Sequence, residues 1–391
     1  MTPAGRAQAA IDLLDEIIAA ARAGGAAADV LIARYFKTRR YAGSKDRRAV
    51  RDLIYRAIRR AGEVPESGRA ALMGLAQEDA EVAATFDGSA HGPARIGEGE
   101  AAAPAGILPH WLMEKLPLDP SELPALLDRA PLDLRVNALK ATRETVMPLI
   151  PGAEPTPIAP MGLRCPEGTQ VESLPAFTQG VIEVQDEGSQ IVTAMAGAEP
   201  GMTVIDLCAG AGGKTLALAA AMRNEGRLIA SDADRTRLSR LAPRAERAGV
   251  TVETRLLDGG RELDALLDLK GQADLVVIDA PCSGTGTWRR NPEARWRLTQ
   301  ARLDRLTALQ ARLIGVGADL VRPGGSLLYI VCSLLDCEGA DQVAAFLGAN
   351  PKWSADPGAG MAAMPHRDGF RLTPAANGTD GFFVARLQRP C

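Results

Sequence analysis

Residues 204–222 read VIDLCAGAGGKTLALAAAM, an apolar run followed by a glycine-rich turn and a stretch of Ala and Leu. An apolar run that passes through glycines into helix-forming residues is typical of a strand, turn and helix in an α/β protein. Glycines in such a turn let the backbone approach a ligand closely. This stretch therefore predicts both the fold class and the position of a ligand site. A turn that serves packing alone is the alternative.

The residues of the turn restrict the class of ligand. A phosphate-binding loop needs a glycine at position 208, where Cys208 stands, and the dinucleotide fingerprint needs a third glycine at position 215, where Thr215 stands. Asp232 lies 20 residues after Gly212, the separation at which an acid reaches ribose hydroxyls. A nucleoside that carries no pyrophosphate therefore fits the turn best.

The chain from about residue 181 onward alternates apolar strands with helices. We predict strands at 204–207, 228–230, 252–257, 275–278 and 326–331, and a helix at 214–222. Such alternation predicts a parallel sheet with right-handed crossovers and helices on both faces. Ligands bind such sheets at the carboxyl ends of the strands. Asp232, Asp258 and Asp279 each come at such an end.

Two cysteines follow neighbouring predicted strands. Cys282 lies in DAPCSGTG (279–286) after the fourth strand, and Cys332 lies in YIVCS (329–333) at the end of the fifth. A free cysteine is usually an inert, buried small hydrophobe. A thiolate, however, can add to an electron-poor ring carbon, and a nearby cation or sulfonium would lower its pKa. We interpret the two thiols together as candidate catalytic groups on one rim of the sheet.

Two segments are rich in cations. WRRNPEARWR (288–297) supplies cations for phosphates and rings for unstacked bases, with an ordinary solvated loop as the alternative. Residues 34–60 carry eleven Lys or Arg and only two acids. From about Ala7 to Arg60, apolar residues spaced by three and four predict several short helices, interrupted at Gly24, Gly25 and Gly43. We interpret this N-terminal helical module as a phosphate-facing surface rather than a merely solvated one.

Composition excludes several function classes. The 391 residues are 46% hydrophobic, which is enough for a large core, and the net charge of -3 lacks the basic signature of a whole-chain nucleic-acid binder. The six cysteines include no C-x-x-C pair, and the three histidines are isolated. We therefore predict reduced thiols, no metal, no membrane span, no export signal and a cytoplasmic location.

The three motifs LCAGAGGKT, DAPCSGTGTWRRNPEARW and YIVCS occur in this order. Together they resemble the Sun/RsmB-type family of S-adenosylmethionine-dependent RNA (cytosine-5) methyltransferases. LRVNALK (134–140), VQDEGSQ (184–190) and DGFFVARL (380–387) are similar to further segments of that family, so the resemblance covers about residues 134–387. KDRRAVRDLIYRAIRR (45–60) is similar to part of a helical RNA-binding extension of bacterial members, shortened here.

The resemblance implies an α/β fold. We expect a Rossmann-like class I methyltransferase with a mostly parallel sheet, preceded by a small α+β subdomain and an N-terminal helical module. The predicted boundaries are a helical RNA-binding module at 1–84, a linker at 85–106, a small α+β subdomain at 107–180 and a methyltransferase domain at 181–391. The linker is predicted from its Gly-, Ala- and Pro-rich composition.

The resemblance also implies the site residues. The residues that would bind S-adenosylmethionine are Cys208, Ala209, Gly210, Ala211, Gly212, Gly213, Lys214, Asp232, Asp258 and Asp279. The 208–214 turn would line the methionine side, Asp232 the ribose and Asp258 the adenine, with Asp279 near the methyl donor. Cys332 corresponds to the nucleophile that attacks carbon 6 of cytosine, and Cys282 to the cysteine implicated in product release.

Two departures from the family pattern affect the region of the nucleophile. Val331 stands where the family usually has Thr, and the segment after Ser333, Leu334-Leu335-Asp336-Cys337-Glu338, replaces the more usual Pro-Glu-rich run and adds a thiol. We predict a monomer that methylates ribosomal RNA, 16S by the resemblance. The alternatives are a noncatalytic RNA-binding assembly factor, against which the two cysteines argue, and a methyltransferase acting on protein or a small molecule, which leaves the thiols and the basic module unexplained.

Overall fold

The computed structural model describes residues 1–356 and 363–391 and divides into two units. The helical unit comprises Met1–Arg129 and Thr287–Gln300, and the sheet unit comprises Ala130–Gly286 and Ala301–Cys391. The predicted boundaries differ from this division, since the chain passes between the units near residue 130 rather than across 85–106. In the part of the chain that is described, no helix combines the length and the apolar character that crossing a membrane requires.

The helical unit forms where the periodic apolar residues predict helices. Its α-helices are α1 (Pro3–Ala23), α2 (Ala28–Thr38), α3 (Ser44–Arg60), α4 (Gly68–Ala76), α5 (Ala80–Ala83) and α6 (His110–Met113), with 3-10 helices at Pro120–Leu126 and Pro292–Arg297. The predicted interruptions are confirmed, because α1 ends before Gly24 and α3 starts after Gly43. Leu13 and Ile17 of α1 pack with Ile54 of α3 in one buried cluster, as the apolar spacing predicts.

The segment predicted as a linker lies on the helices. The Ala103 N–H donates to the Ala70 carbonyl at 2.9 Å, and the Gly106 N–H donates to the Arg60 carbonyl at 2.8 Å. The Arg60 guanidinium donates in turn to the Ala103 carbonyl at 2.6 Å, and Arg69 pairs with Glu100 at 2.5 Å. Backbone groups of this segment are satisfied by particular distant residues, which its composition does not reveal.

The sheet unit contains a small antiparallel sheet in the strand order β2-β3-β1-β4. Its strands are β1 (Leu132–Val136), β2 (Glu154–Pro155), β3 (Gly162–Cys165) and β4 (Ile182–Val184), and its helices are α7 (Arg143–Val146), α8 (Pro175–Thr178) and 3-10 helices at Met147–Leu149 and Val171–Ser173. An α+β subdomain is therefore present. It differs from the predicted range 107–180 because residues 107–129 belong to the helical unit and β4 closes the sheet after residue 180.

A large sheet follows. Its strands are β5 (Thr203–Asp206), β6 (Arg227–Asp232), β7 (Glu253–Leu256), β8 (Ala273–Asp279), β9 (Val321–Val331), β10 (Ser354–Asp356), β11 (Met364–His366), β12 (Gly369–Leu372) and β13 (Phe382–Gln388). The helices are α9 (Glu187–Ala194), α10 (Gly213–Ala221), α11 (Arg235–Leu238), α12 (Leu241–Ala248), α13 (Gln300–Leu320), α14 (Ala340–Ala349) and α15 (Pro374–Asn377), with 3-10 helices at Glu262–Leu269, Thr285–Thr287 and Asp336–Glu338.

The strand order is β11-β12-β13-β9-β8-β5-β6-β7, and β10 pairs with β13. The five predicted strands, β5 to β9, are all present and pair in parallel, while β13 runs antiparallel to β9. The chain proceeds from β5 to β6 and β7 on one side, then returns to β8 and β9 on the other. This reversal places a ligand-binding crevice at the carboxyl ends of β5 and β8.

Both faces of the large sheet are covered by helices. Ile205 and Val276 pack on one face with Leu313 of α13, whereas Val204 and Val277 pack on the opposite face with residues of α9 and α10. Successive side chains of a strand point to opposite faces, so a strand covered on both sides is apolar throughout. The apolar runs of β5, β6, β8 and β9 therefore correspond to buried strands, whereas β7, at the edge of the sheet, is largely exposed.

Candidate active site

The glycine-rich turn connects β5 to α10. Gly210 and Gly212 have φ values of 55° and 86°, a region that favours glycine. A Cβ atom at Gly212 would lie 2.1 Å from Cδ1 of Leu241, whereas a Cβ atom at Gly213 would have no neighbour within 4 Å. The turn is thus packed tightly against the protein on one side and open at Gly213, where a ligand can approach the backbone.

Asp232 at the end of β6 holds the turn in place. Its Oδ2 accepts the Gly210 N–H at 2.7 Å, and its Oδ1 accepts the Asp234 N–H at 2.7 Å. The Ala209 N–H donates to the Ser231 carbonyl at 2.9 Å, and the Ala211 carbonyl accepts from Arg244 at 2.7 Å. The structure therefore brings the predicted ribose-binding acid to the predicted cofactor turn.

Asp206, the last residue of β5, is a buried acid that was not predicted from the sequence as a site residue. Its Oδ2 accepts the Thr215 hydroxyl at 2.6 Å, and its buried Oδ1 accepts no hydrogen bond from the described residues. Burial raises the pKa of Asp206 to about 7, against the opposing effect of the Thr215 hydrogen bond. A buried polar atom left unsatisfied beside an open turn fits a small polar cofactor.

Lys214 and Asp279 form an ion pair at the crevice, with Nζ 2.7 Å from Oδ2. Burial disfavours the charge on Lys214, but the Asp279 carboxylate outweighs it, and the pKa of Lys214 is raised. The same ammonium also interacts electrostatically with Cys332. Lys214, in the first turn of α10, therefore stays protonated. Its positive charge lies close to the predicted nucleophile and to the predicted methyl-donor side of the crevice.

The two candidate catalytic thiols, those of Cys282 and Cys332, are in contact. Cys282 Sγ lies 3.3 Å from Cys332 Sγ, and both side chains are partly buried. The hydrogen bond with Cys332 raises the pKa of Cys282 well above its usual value, and burial adds to this rise. The Cys282 thiol therefore keeps its proton, and either sulfur could be the donor in this contact. The adjacent ends of β8 and β9 bring the thiols together, as predicted.

The remaining cysteines of the region differ in character. Burial, followed by the charges of Asp206, Asp232 and Asp279, raises the pKa of Cys208 well above its usual value, so this thiol stays protonated in the turn. Cys337 lies in the 3-10 helix that follows β9.

Asp258 is the one predicted site residue that the structure does not bring to the cluster. Its side chain follows β7, is 64% exposed and is held by Arg261 at 2.6 Å. Its assignment to the adenine remains a prediction. Val331, where the family usually has Thr, is fully buried at the end of β9.

The cationic and aromatic run at 288–297 does not have the predicted exposure. Trp288, Trp296 and Arg295 are among its buried side chains. The Trp296 indole N–H donates to the Ala61 carbonyl at 2.9 Å, and Arg295 donates to the Ile58 carbonyl at 2.5 Å and to the Ala61 carbonyl at 2.9 Å. The prediction that these rings stack on bases is wrong, because both rings are buried and Trp296 packs in the core of the helical unit. We call residues 288–297 the buried Arg–Trp segment.

The fold is that of Rossmann-like class I methyltransferases. A family model described as 16S rRNA methyltransferase RsmB/F matches residues 193–388, just over half of the chain. The chain belongs to this family. The resemblance in the sequence motifs is thereby confirmed.

Curated relatives and solved structures agree with this assignment. The probable ribosomal RNA small subunit methyltransferase B of Synechocystis sp. is 33% identical over 72% of this chain and 66% of that protein. The ribosomal RNA small subunit methyltransferase B of Enterobacter sp. is 32% identical over 71% of this chain and 66% of that protein. The chain thus spans just under two thirds of the length of these relatives.

Two crystal structures resemble this one over most of their own length. PH0851 aligns with a TM-score of 0.78 and 25% identity over 100% of this chain and 99% of that chain. A methyltransferase homolog protein from Pyrococcus horikoshii aligns with a TM-score of 0.59 and 26% identity over 68% of this chain and 89% of that chain. The first of these alignments includes the helical unit.

Proposed function

We propose that the protein is an S-adenosylmethionine-dependent methyltransferase that methylates carbon 5 of a cytosine in 16S ribosomal RNA, in the cytoplasm, with Cys332 as the nucleophile. The observation that carries this proposal is the 3.3 Å separation of the Cys282 and Cys332 sulfurs beside the Lys214–Asp279 pair. Methyl transfer to an oxygen or nitrogen needs no thiol, whereas carbon 5 of cytosine becomes nucleophilic only after a group adds to carbon 6.

S-adenosylmethionine supplies an electrophilic methyl group when bound. The turn at 208–214 would hold its methionine side and Asp232 its ribose, with Asp279 near the methyl donor. Asp258 would serve the adenine, for which its exposed carboxylate must exchange its partner Arg261.

The two thiols have different roles in the proposed reaction. The Cys332 sulfur bonds to carbon 6 of the cytosine, and the electron pair moves to carbon 5, which takes the methyl group. A water molecule then takes the proton from carbon 5, the electron pair of that bond restores the double bond of the ring, and the bond from carbon 6 breaks with its electron pair returning to the Cys332 sulfur. The Cys282 thiol lies 3.3 Å from the Cys332 sulfur and assists release by donating a hydrogen bond to that sulfur as it departs. The base reaches the crevice by leaving its stack, at a cost of a few kcal/mol.

Exposed cations in the helical unit support the RNA-binding role proposed for residues 1–84. Of the cations between 34 and 60, several serve the unit itself: Arg56 pairs with Asp79, and Arg60 pairs with Glu78. A separate group is exposed around α2 and α3, which we call the exposed basic surface: Lys37, Arg40, Tyr41, Lys45, Arg48 and Arg51. Tyr41 is 72% exposed, so its ring is available to stack on a base.

The test uses RNA labelled with tritium at carbon 5 of cytosine. We expect the intact protein to release tritium when S-adenosylmethionine is present, and Cys332→Ala to reduce turnover by on the order of 10⁴-fold or more while cofactor binding is unchanged. Turnover retained by Cys332→Ala would transfer the nucleophilic role to another group.

Cys282→Ala has a different expected outcome. Methyl transfer proceeds, but release slows, so a covalent protein–RNA adduct accumulates and migrates slowly on a denaturing gel. Absence of that species would contradict the release role of Cys282. Bisulfite sequencing of cellular RNA with and without the protein identifies the modified cytosine, and an unchanged 16S ribosomal RNA would contradict the proposed substrate.

A further inference from the structure

One buried carboxylate joins the two loops that carry the thiols. Glu338 lies in the 3-10 helix after β9 and is 0% exposed. Its Oε1 accepts the Ser283 N–H at 2.8 Å and the Gln310 side-chain amide at 3.1 Å. Its Oε2 accepts the Ser333 hydroxyl at 2.5 Å and also the Ser283 hydroxyl. Four donor groups therefore converge on a single carboxylate.

The serine partners of Glu338 are each the residue next to a thiol. Ser283 follows Cys282, and Ser333 follows Cys332. The carboxylate thus bridges the segment after β8 and the segment after β9 one residue away from the point where the two sulfurs lie 3.3 Å apart. Because each serine shares a peptide bond with its cysteine, the bridge constrains the backbone that carries both sulfurs.

Further hydrogen bonds brace the bridge. Thr285 Oγ1 lies 3.1 Å from Ser333 Oγ and accepts the Leu334 N–H at 2.8 Å. The Tyr329 hydroxyl donates to the Glu338 carbonyl at 2.6 Å. Gln310 of α13 spans from Glu338 to the Pro281 carbonyl at 2.9 Å. The network reaches the residues on both sides of Cys282.

A role in stability alone does not explain why a buried position carries the carboxylate of Glu338. Burying a carboxylate is costly, and well-packed apolar residues stabilise a fold as well or better. A carboxylate that accepts charge-assisted hydrogen bonds from two loops gains short, directional contacts that an apolar side chain cannot supply. Its negative charge also contributes, after the Cys332 hydrogen bond and burial, to the raised pKa of Cys282.

We propose that Glu338 is a positioning residue, which sets the separation and orientation of the Cys282 and Cys332 thiols through Ser283 and Ser333. The catalytic part of this inference rests on the proposed function. Glu338 itself touches neither the pyrimidine nor the cofactor; it acts through the loops that hold the sulfurs.

The first test needs no RNA. A short bifunctional thiol reagent bridges Cys282 and Cys332 in the intact protein, and mass spectrometry of the linked peptides gives the bridging rate. We expect Glu338→Gln to slow bridging at least about tenfold, because a displacement of about 1 Å is enough to disturb such geometry. The rate of single alkylation of Cys332 should change less. The matched control is Glu293→Gln, a buried glutamate of the helical unit, which should leave bridging unchanged.

The second test measures turnover. Glu338→Gln should lower kcat by about 10- to 100-fold with an unchanged KM for S-adenosylmethionine. The double variant Ser283→Ala/Ser333→Ala should show a similar loss, and adding Glu338→Gln to it should cost little more, since residues that act as one unit are not additive. If Glu338→Gln fails to fold, the double serine variant carries both measurements.

The outcomes separate the two proposals. Unchanged bridging and unchanged kcat in Glu338→Gln, or full additivity with the serine variants, would overturn the positioning role. If the protein modifies no cytosine but Glu338→Gln still slows bridging, the proposed substrate fails while the role of Glu338 in holding the thiols stands.

Discussion

Two stretches of this chain combine arginines with aromatic residues, and they lie in opposite environments. In the exposed basic surface, Arg48 and Arg51 of α3 lie on the outside of the helical unit, and Tyr41 is exposed beside them. In the buried Arg–Trp segment, Arg295 is fully buried and donates to carbonyls near the end of α3. The planar guanidinium, with its five donors, can therefore bind helix carbonyls as readily as phosphates.

The pKa of Arg295 reflects its buried environment. Burial, followed by the nearby charge of Arg59, lowers the pKa of Arg295 to about 9. A guanidinium that has lost its hydration in this way is a component of the core, and its contribution is to folding. The exposed cations keep their hydration and their counterions, and release of those counterions drives binding to a polyanion. The two stretches should therefore respond differently to mutation.

The largest expected effect is on stability and lies in the buried Arg–Trp segment. Trp296→Ala removes a ring that is 4% exposed together with its hydrogen bond to Ala61. We expect a loss of about 3–5 kcal/mol in the free energy of unfolding of the helical unit. Urea unfolding followed by circular dichroism measures it. A stability within 1 kcal/mol of the parent, with weaker RNA binding, would mean that the ring meets RNA after all.

The next effect is on RNA affinity and lies in the exposed basic surface. Replacing Arg40, Arg48 and Arg51 together by Gln removes three exposed charges, so we expect RNA binding to weaken by about 10- to 100-fold and the slope of log affinity against log salt to fall by about 2 to 3. Filter binding over a salt series measures both quantities. The unfolding free energy should be unchanged.

A matched triple variant controls for net charge. Arg223, Arg305 and Lys352 are exposed cations of the sheet unit, and replacing them by Gln makes the same change in total charge. An equal loss of affinity in this control would show that binding follows net charge rather than the exposed basic surface.

The smallest expected effect is that of Tyr41. Tyr41→Ala should cost about 1 kcal/mol in RNA binding, at the low end of the range for a stacked base because the ring is so exposed, and it should leave the salt slope unchanged. Tyr41→Phe should bind as the parent does. Equal losses in the two variants would assign the contribution to the hydroxyl instead of the ring.

Much of the candidate active site could be predicted from the sequence. The strands β5 to β9, the turn at 208–214 and the convergence of Cys282 with Cys332 follow from local apolar runs, glycines and the rule that parallel strands end at one edge. Those signals lie within short stretches of chain or depend on a topology with few alternatives. The pairing of Asp232 with the turn follows in the same way.

Other features depend on contacts between distant segments. The placement of residues 85–106 on the helices, the burial of Trp296 and the exposure of Asp258 were not predicted, because composition does not reveal which side chain supplies a partner to which backbone group. Glu338 was noticed in the sequence only as part of a departure from the family pattern. A serine follows each cysteine in the sequence, and this was the available sign of a shared partner. The sequence does not show that both serines bind one carboxylate, because that contact forms only when the two loops lie side by side.

The sequence by itself thus determined the α/β fold class, the glycine turn and the edge at which two thiols meet, since local periodicity and chain topology are sufficient for these. Tertiary packing determines which arginines face solvent, where the chain divides into units and which carboxylate bridges the two loops that carry the thiols. The physical reason is that burial and hydrogen-bond partnership are properties of packed pairs far apart in the chain, and they come into existence only when the chain folds.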